Sequence, residues 1–295
     1  MIIDAHNHPE WHGHDLSKFL SNMADYHIDK TWLLSWEAPL GEYDPRDNYV
    51  YLGSERGPIP FERCLAYSQQ APDKFVLGYA PDPRLADSID RLQAAIEIYG
   101  VRACGELKLR MMYDNWDALR LFRFCGEKGL PVTVHLDYEF DTGQKYPRPN
   151  WWFGGGIEAF ERAVRACPQT DFVGHAPGFW AHISNDELFH QEPYPKGPVI
   201  PGGAVPRLLR AYPNLFADLS AGSALNALSR DSAFARDFLL EFQDRLLYGR
   251  DNFDNKLQEF LATLNLPEAA WMKIAFQNAE RLVSNTKENP HDRDP

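Results

Sequence analysis

The residues best suited to chemistry are imidazoles and carboxylates that each follow a short apolar run. His6 and His8 are two residues apart, so in an extended strand both side chains point to one side. Three further residues end or follow such runs: His135 in Pro-Val-Thr-Val-His, His175 in Asp-Phe-Val-Gly-His, and Asp251 after Leu-Leu-Tyr-Gly-Arg. Neutral imidazole and carboxylate are common ligands of divalent metals. The pattern predicts a metal site if the fold brings the ends of these runs together.

A further run, residues 101–109, carries charges within an apolar context. Strand alternation sorts it into Val101, Ala103, Gly105, Leu107 and Leu109 on one side and Arg102, Cys104, Glu106 and Lys108 on the other. Helices packed on a sheet would not accept the charged side, so that side should face the interior. Glu106 could therefore bind or bridge metals, or form a buried ion pair with Lys108. A carbamylated Lys108 is another candidate ligand.

The elements that must position these residues are β-like runs alternating with helix-like segments. The runs are 1–5, 30–36, 75–80, 101–109, 131–135, 171–175, 214–217 and 245–248. The helical segments are 15–27, 59–71, 86–99, 116–128, 157–167, 204–212, 224–242 and 255–283, the last broken at Pro267, with Gly100 and Gly129 as helix stops. Alternation of this kind predicts parallel strands with helical crossovers. We expect an α/β fold with a single (β/α)8 TIM barrel over residues 1–283, whose strand ends share one mouth, and a polar tail at 284–295.

Long loops follow the second, fifth and sixth runs, at 37–58, 138–156 and 182–203. In a barrel the loops after the strands build the active site. Lys108 and Arg110 share the inward parity and could meet a substrate carboxylate. Trp151 and Trp180 lie in aromatic-rich loops and could line the substrate pocket, or could simply anchor the loops.

Composition narrows the classes of function. The 295 residues carry a net charge of −12, which disfavours binding to nucleic acid or an anionic membrane. No apolar run approaches the ~18 residues of a membrane span, and no signal peptide is visible. The four cysteines are far apart, which favours reduced, buried thiols. We expect a cytoplasmic protein that acts on a small-molecule substrate, with a homo-oligomer as one option.

Four segments carry a resemblance to a known family. MIIDAHNHP, PVTVHLD, FVGHAPG and LLYGRDNF resemble the amidohydrolase superfamily, most closely the amidohydrolase-related branch, which holds lactonases, hydratases, decarboxylases and hydrolases. The resemblance runs from Met1 to about Val283. It implies one or two divalent ions, with zinc expected first and manganese or iron as alternatives. GELKL departs from the pattern, because binuclear members typically carry a carbamylated lysine and this Glu resembles that of the TatD-like nucleases.

The metal interpretation implies a mechanism. The candidate ligands are His6, His8, Glu106, His135, His175 and Asp251. Asp251 would take a proton from water and later protonate a leaving group, and His175, or His135 if it is not a ligand, would polarise a substrate carbonyl. Hydrolysis of an amide, ester or lactone would follow. The alternatives are a decarboxylase or hydratase of the same superfamily, a TatD-like phosphoesterase, or a barrel that only binds its ligand.

Overall fold

Eight parallel strands form the centre of the molecule in a computed structural model that describes residues 1–42, 58–138 and 152–284. The strands are β1 Ile3–Asn7, β2 Lys30–Leu33, β3 Phe75–Leu77, β4 Cys104–Leu107, β5 Val132–His135, β6 Phe172–His175, β7 Leu215–Asp218 and β8 Leu246–Leu247. They pair in chain order within two sheets, one of β1 to β3 and one of β4 to β8. A parallel bridge between Gly78 and Ala103 joins β3 to β4, and the Ala5 amide donates to the Tyr248 carbonyl at 2.9 Å. These contacts complete the ring, and the predicted TIM barrel is confirmed.

The helices follow the strands with local signals that match their ends. They are α1 Leu16–Asp25, α2 Phe61–Gln70, α3 Ser88–Tyr99, α4 Trp116–Lys128, α5 Gly156–Ala166, α6 Pro177–Trp180, α7 Ala204–Ala211, α8 Ala221–Ser229, α9 Ser232–Glu241, α10 Lys256–Thr263, α11 Glu268–Met272 and α12 Asn278–Ser284. Asn115 caps α4 by accepting from the Ala118 amide, and Gly100 and Gly129 end α3 and α4 in the left-handed conformation, as predicted. Within the described residues, no helix combines the length and hydropathy needed to cross a bilayer.

The C-terminal helices differ from the predicted segments in one respect. The segment 224–242 is two helices rather than one, because the Asp231 side chain accepts from the amides of Ala233 and Phe234 and starts α9. The expected break near Pro267 is present between α10 and α11. A π-helical segment, Lys273–Gln277, then joins α11 to α12.

Two apolar layers fill the structure. The larger lies between the strands and the surrounding helices, and the smaller lies inside the barrel. The inner cluster includes Trp32, Leu34, Phe216 and Leu247, all at most 5% exposed. Residues of α12 belong to the same cluster and cover the end of the barrel at which the strands begin. The barrel is therefore packed, and its polar site can form only where the strands end.

The faces of β4 differ from the predicted alternation. Ala103 belongs to the inner cluster, whereas the Cys104 thiol lies outside, beside that of Cys125 on α4. The predictions that Cys104 faces the interior and that Ala103 packs under the helices are wrong, because the β4–β5 register shifts between Cys104 and Leu107 and the alternation is not continuous. Glu106 nevertheless faces the mouth. All four cysteines are free and buried, as the sequence indicated.

The three long loops are described to different extents. The segments 37–58 and 138–156 each contain residues outside the described ranges, among them Trp151. The segment 182–203 is described throughout and includes a short 3-10 turn at Leu188–His190. Hydrogen bonds from the Arg230 guanidinium to the Gly197 and Pro198 carbonyls hold this third loop against the end of α8.

Candidate active site

The strand ends bring together all six side chains that the sequence suggested as metal ligands. Around the Glu106 carboxylate lie three imidazole Nε2 atoms, at 3.3 Å for His8, 3.5 Å for His175 and 3.8 Å for His6. Asp251, just after β8, lies 3.5 Å from His8 Nε2 and 3.8 Å from His175 Nε2. The three imidazoles are at most 1% exposed and Glu106 is 3% exposed. The barrel mouth thus holds a buried cluster of nitrogen and oxygen donors.

Hydrogen bonds fix the orientation of these three imidazoles. One carboxylate, that of Asp218, accepts from His6 Nδ1 at 2.8 Å and from His175 Nδ1 at 2.9 Å. His8 Nδ1 donates to the Leu34 carbonyl at 2.8 Å. With Nδ1 carrying the proton, Nε2 of each ring keeps a free lone pair directed into the cluster. Partners of this kind commonly orient histidines that bind a metal.

The spacing of the donors and two unpartnered atoms fit a divalent metal. Two ligands that bind one ion at about 2.1 Å with tetrahedral angles are about 3.4 Å apart. The separations of 3.3–3.8 Å between imidazole Nε2 and carboxylate oxygen match that value, whereas the Nδ1 contacts are ordinary hydrogen bonds. His6 Nε2 and Asp251 Oδ1 are buried without a hydrogen-bond partner. A cation at the centre of the cluster would satisfy both atoms.

His135 differs from the other three histidines. Its Nδ1 lies 2.6 Å from Glu106 Oε1, which is hydrogen-bond distance, and its Nε2 lies 3.9 Å from Asp137 Oδ2. The ring therefore stands between two buried carboxylates, with Nδ1 bound to Glu106. In this arrangement His135 supports Glu106 through Nδ1, and with Glu106 and His175 it forms a group of buried donors close enough together to hold an ion.

Burial and neighbouring charges set the protonation of the cluster. Burial alone would raise the pKa of Glu106 and of Asp218, but the nearby imidazoles outweigh it and hold both pKa values well below the usual range. Burial lowers the pKa of His175 and favours the neutral ring. For His6, burial acts in the same direction, but Asp218 and Glu106 more than offset it and raise the pKa. The result is a set of ionised carboxylates around imidazoles, which attracts cations.

Lys108 does not pair with Glu106. Its ammonium lies over the Trp36 ring, 4.2 Å from the ring centre, and 5.4 Å from the centre of Phe153. Among the described residues no carboxylate lies within 4 Å of the Lys108 ammonium. The alternative in which a Glu106–Lys108 ion pair replaces a metal is thus not what the structure contains. The centres of the Phe153 and His135 rings are 5.5 Å apart, so the aromatic rings that contact Lys108 border the candidate site.

The other predicted substrate contacts have different outcomes. The Arg110 amide donates to Glu42 at 2.9 Å, which places Arg110 beside the loop that follows β2. Trp180 is fully buried, and its indole donates to the Asp218 carbonyl at 3.0 Å. The prediction that Trp180 lines the pocket is wrong, because α6 turns the ring into the outer core. Trp151 lies outside the described residues.

Sequence reasoning missed two carboxylates of the site. Asp218 ends β7 and is fully buried, and Asp137 follows β5 and is 6% exposed. The signal for Asp218 was the same as for the other residues, an ionisable side chain at the end of an apolar run. The predicted run 214–217 stopped one residue before it.

Solved structures of other proteins share this fold. An uncharacterised TIM-barrel protein from Bordetella bronchiseptica is 16% identical, with a TM-score of 0.63 and coverage of 97% of this chain and 99% of that one. A dihydroxybenzoic acid decarboxylase from Polaromonas sp. JS666, with bound manganese and the inhibitor 2-nitroresorcinol, is 14% identical, with a TM-score of 0.58 and coverage of 97% and 98%. A candidate 2-pyrone-4,6-dicarboxylic acid hydrolase from Pseudomonas putida is 16% identical, with a TM-score of 0.57 and the same coverage. At these identities the likeness establishes the fold alone.

The family is established by a separate comparison. No curated protein matches the chain. A family model described as amidohydrolase matches residues 3–284, which is nearly the whole sequence and includes every described residue of the cluster. This match agrees with the resemblance carried by the four sequence segments around the histidines and Asp251. The chain therefore belongs to the amidohydrolase family of metal-dependent enzymes.

Proposed function

We propose that the protein hydrolyses an amide, ester or lactone bond in a small, carboxylated molecule with the help of a divalent metal. The observation that carries the proposal is the convergence of three imidazole Nε2 atoms with the carboxylates of Glu106 and Asp251 at the barrel mouth. Such a donor set suits a divalent cation, and the open end of the barrel gives a substrate access to it.

We propose a single ion at His6, His8 and Asp251, whose ligand atoms lie close enough together to hold one, with Glu106 and His175 beside them. Glu106, His135 and His175 form a second group of closely spaced donors, but there His135 Nδ1 is hydrogen-bonded to Glu106. When bound, a divalent ion would lower the pKa of a water toward ~7 and polarise a carbonyl oxygen. Zinc is the first expectation from the sequence. Manganese and iron are the alternatives, because imidazole and carboxylate ligands suit them as well.

The roles of the chain's own residues follow from their placement. Asp251 lies at the edge of the cluster, its side chain 16% exposed, and can accept a proton from the attacking water and pass it to the leaving group. His175 points its Nε2 at the two carboxylates, so we assign it to the metal, although it was also a candidate to polarise the carbonyl. That second role passes to His135, whose Nε2 is directed away from Glu106.

Lys108 is the residue proposed to recognise the substrate carboxylate. Two aromatic rings hold its ammonium beside the site, and a substrate anion would supply the partner that the neighbouring described residues do not. Arg110 is proposed as a second contact on the same side of the mouth. Trp151 remains a predicted pocket residue.

A substrate panel tests the function. Metal-reconstituted protein should hydrolyse members of a set of carboxylated lactones, esters and amides, and Lys108→Met should raise KM for them without a matching fall in kcat. For neutral analogues that lack the carboxylate, KM should be the same in both proteins. Release of carbon dioxide from dihydroxybenzoates, without hydrolysis in the panel, would replace the proposal by the decarboxylase alternative. Cleavage of phosphodiesters alone would favour the phosphoesterase.

Asp218→Asn should weaken metal binding by about 10- to 100-fold, the usual effect of losing a partner that orients a metal ligand. An amide has one acceptor oxygen, so one of the two imidazole Nδ1–H groups loses its carboxylate acceptor, and only His175 Nδ1 has another oxygen within reach, Ser220 Oγ at 2.9 Å. Titration of metal-free protein with Zn²⁺ or Mn²⁺ measures the change. Asp171→Asn, just before β6 at the opposite end of the barrel, is the control. Equal affinity in folded Asp218→Asn and wild-type protein would contradict the assigned orientation of His6 and His175.

The cellular location and the binding partners are proposed from the state of the cysteines and the net charge. Four free, buried thiols favour a reducing compartment, so we propose a cytoplasmic location. The charge of −12 argues against nucleic acid as a partner, and a homo-oligomer is a sequence-based prediction to be tested by its mass in solution.

A further inference from the structure

A buried ion pair outside the metal cluster joins β1 to the residues that follow β8. Asp4 is fully buried and Arg250 is 4% exposed. Arg250 Nε donates to Asp4 Oδ2 at 2.8 Å, and the Arg250 amide donates to Asp4 Oδ1 at 2.8 Å. Neither side chain contacts the side chains of the metal cluster. Nearby residues of the chain belong to that cluster, because His6 lies two residues after Asp4 and Asp251 follows Arg250.

The same two side chains make further hydrogen bonds that tie three elements together. The Asp4 carboxylate also accepts from the His6 amide at 3.3 Å and from Asn7 Nδ2 at 3.2 Å. Arg250 Nη1 donates to Asn22 Oδ1 on α1 at 2.8 Å. Asp4 thus has four donors, and Arg250 connects the end of β8 to both β1 and α1.

Hydrogen bonds hold the Asp251 backbone through both its amide and its carbonyl group. Its amide donates to the His6 carbonyl at 2.8 Å, and its carbonyl accepts from Trp11 Nε1 at 3.1 Å. Asn7 Nδ2 donates to the Asn252 carbonyl at 2.8 Å. The backbone of Asp251 has φ of 47°, a left-handed conformation that residues other than glycine adopt infrequently. A conformation of this kind persists where the surroundings determine it. Here His6 and Trp11 hold the Asp251 backbone, and the preceding residue, Arg250, is fixed on Asp4.

We propose that the Asp4–Arg250 pair is a positioning unit, which sets the Asp251 carboxylate against His8 and His175. The inference rests on the proposed function, in which Asp251 serves the metal. Burying two charges costs desolvation energy, so such a pair is weak evidence for stability alone. Arg250 uses its amide, Nε and Nη1 at fixed relative positions, which the single ammonium of lysine cannot reproduce.

The test measures metal affinity separately from folding. The variants are Arg250→Lys, which keeps the charge, and the double variant Asp4→Asn with Arg250→Gln, which leaves no unpaired buried charge. Metal-free full-length protein is titrated with Mn²⁺ alone, and thermal unfolding is recorded without metal. Arg245→Gln is the control, because Arg245 precedes the same strand and donates to the Tyr212 carbonyl at the far end of the barrel.

We expect the Kd for Mn²⁺ to rise at least ~10-fold in both Arg250 variants, the scale for residues that orient metal ligands. The Arg245 control should lose thermal stability and keep the wild-type Kd. Wild-type affinity in folded Arg250 variants would overturn the positioning role, and so would failure of both to fold, which would assign the pair to the fold alone. Wild-type protein that binds no divalent metal would instead overturn the proposed function itself.

Discussion

The His6→Ala variant is expected to lose most of its bound metal, the largest effect on occupancy of any single substitution in the cluster. Its Nε2 is a buried atom without a hydrogen-bond partner, and its Nδ1 engages one oxygen of Asp218. Alanine removes a ligand and also frees an ionised carboxylate that orients His175 through its other oxygen. Elemental analysis of purified protein, with metal counted per chain, measures the loss.

His190→Ala is the matched control for that experiment. His190 is exposed in the loop after β6, outside the cluster, and its ring centre lies 3.9 Å from that of Phe189. It should keep wild-type metal content. Circular dichroism should show that both variants are folded. Wild-type metal levels in folded His6→Ala protein would contradict the ligand assignment, and an equal loss in both variants would show that the effect is not specific to the site.

The position of the site could be predicted from the sequence because a parallel barrel collects the ends of its strands at one mouth. His135 and His175 illustrate the rule, since each ends an apolar run and the two are direct register partners on β5 and β6. His6, His8 and Asp251 were found by the same reasoning. The rule needs only the positions where the apolar runs end and their order along the chain, and both can be read from local sequence patterns.

The different roles of His135 and His175 could not be predicted. Both residues occupy the same position on neighbouring strands, so their sequence contexts are equivalent. What separates them is the acceptor at Nδ1, which is Glu106 from β4 for one and Asp218 from β7 for the other. Those acceptors come from 29 and 43 residues away along the chain, and side-chain rotation decides which nitrogen meets them. Local patterns carry no information about such rotations.

Two errors have simpler physical causes. Trp180 follows a ligand-bearing strand in an aromatic-rich segment, which suggested the pocket, but α6 turns its ring into the outer core, where the indole donates to the Asp218 carbonyl. Cys104 was given the wrong face because the β4–β5 register shifts beside it. Alternation predicts faces only while the ladder is regular, and sequence alone does not reveal where a register shift occurs.

The different roles proposed for Asp251 and Glu106 follow from the exposure of their side chains. Glu106 is 3% exposed and is enclosed by four imidazoles, so its oxygens are committed to the cluster. Asp251 contacts two of the same imidazoles from the rim, where its side chain is 16% exposed and a substrate can approach. A proton acceptor must reach the reacting atoms within hydrogen-bond distance, which favours Asp251 over Glu106 as the base.

The Asp251→Asn variant, once loaded with metal, should therefore retain the fold but lose turnover, with kcat lower by ~10² to 10⁴, the scale of general-base catalysis. The amide keeps the shape of the side chain and one oxygen toward His8, yet it cannot take a proton as a carboxylate does. KM for the substrate identified in the panel should change little, since Lys108 carries the proposed recognition. Asp254→Asn, three residues along in an exposed ion pair with Lys256, is the control and should keep wild-type kcat. Steady-state kinetics on protein of measured metal content decides the matter, because near-normal kcat in metal-loaded Asp251→Asn protein would remove Asp251 from the role of base.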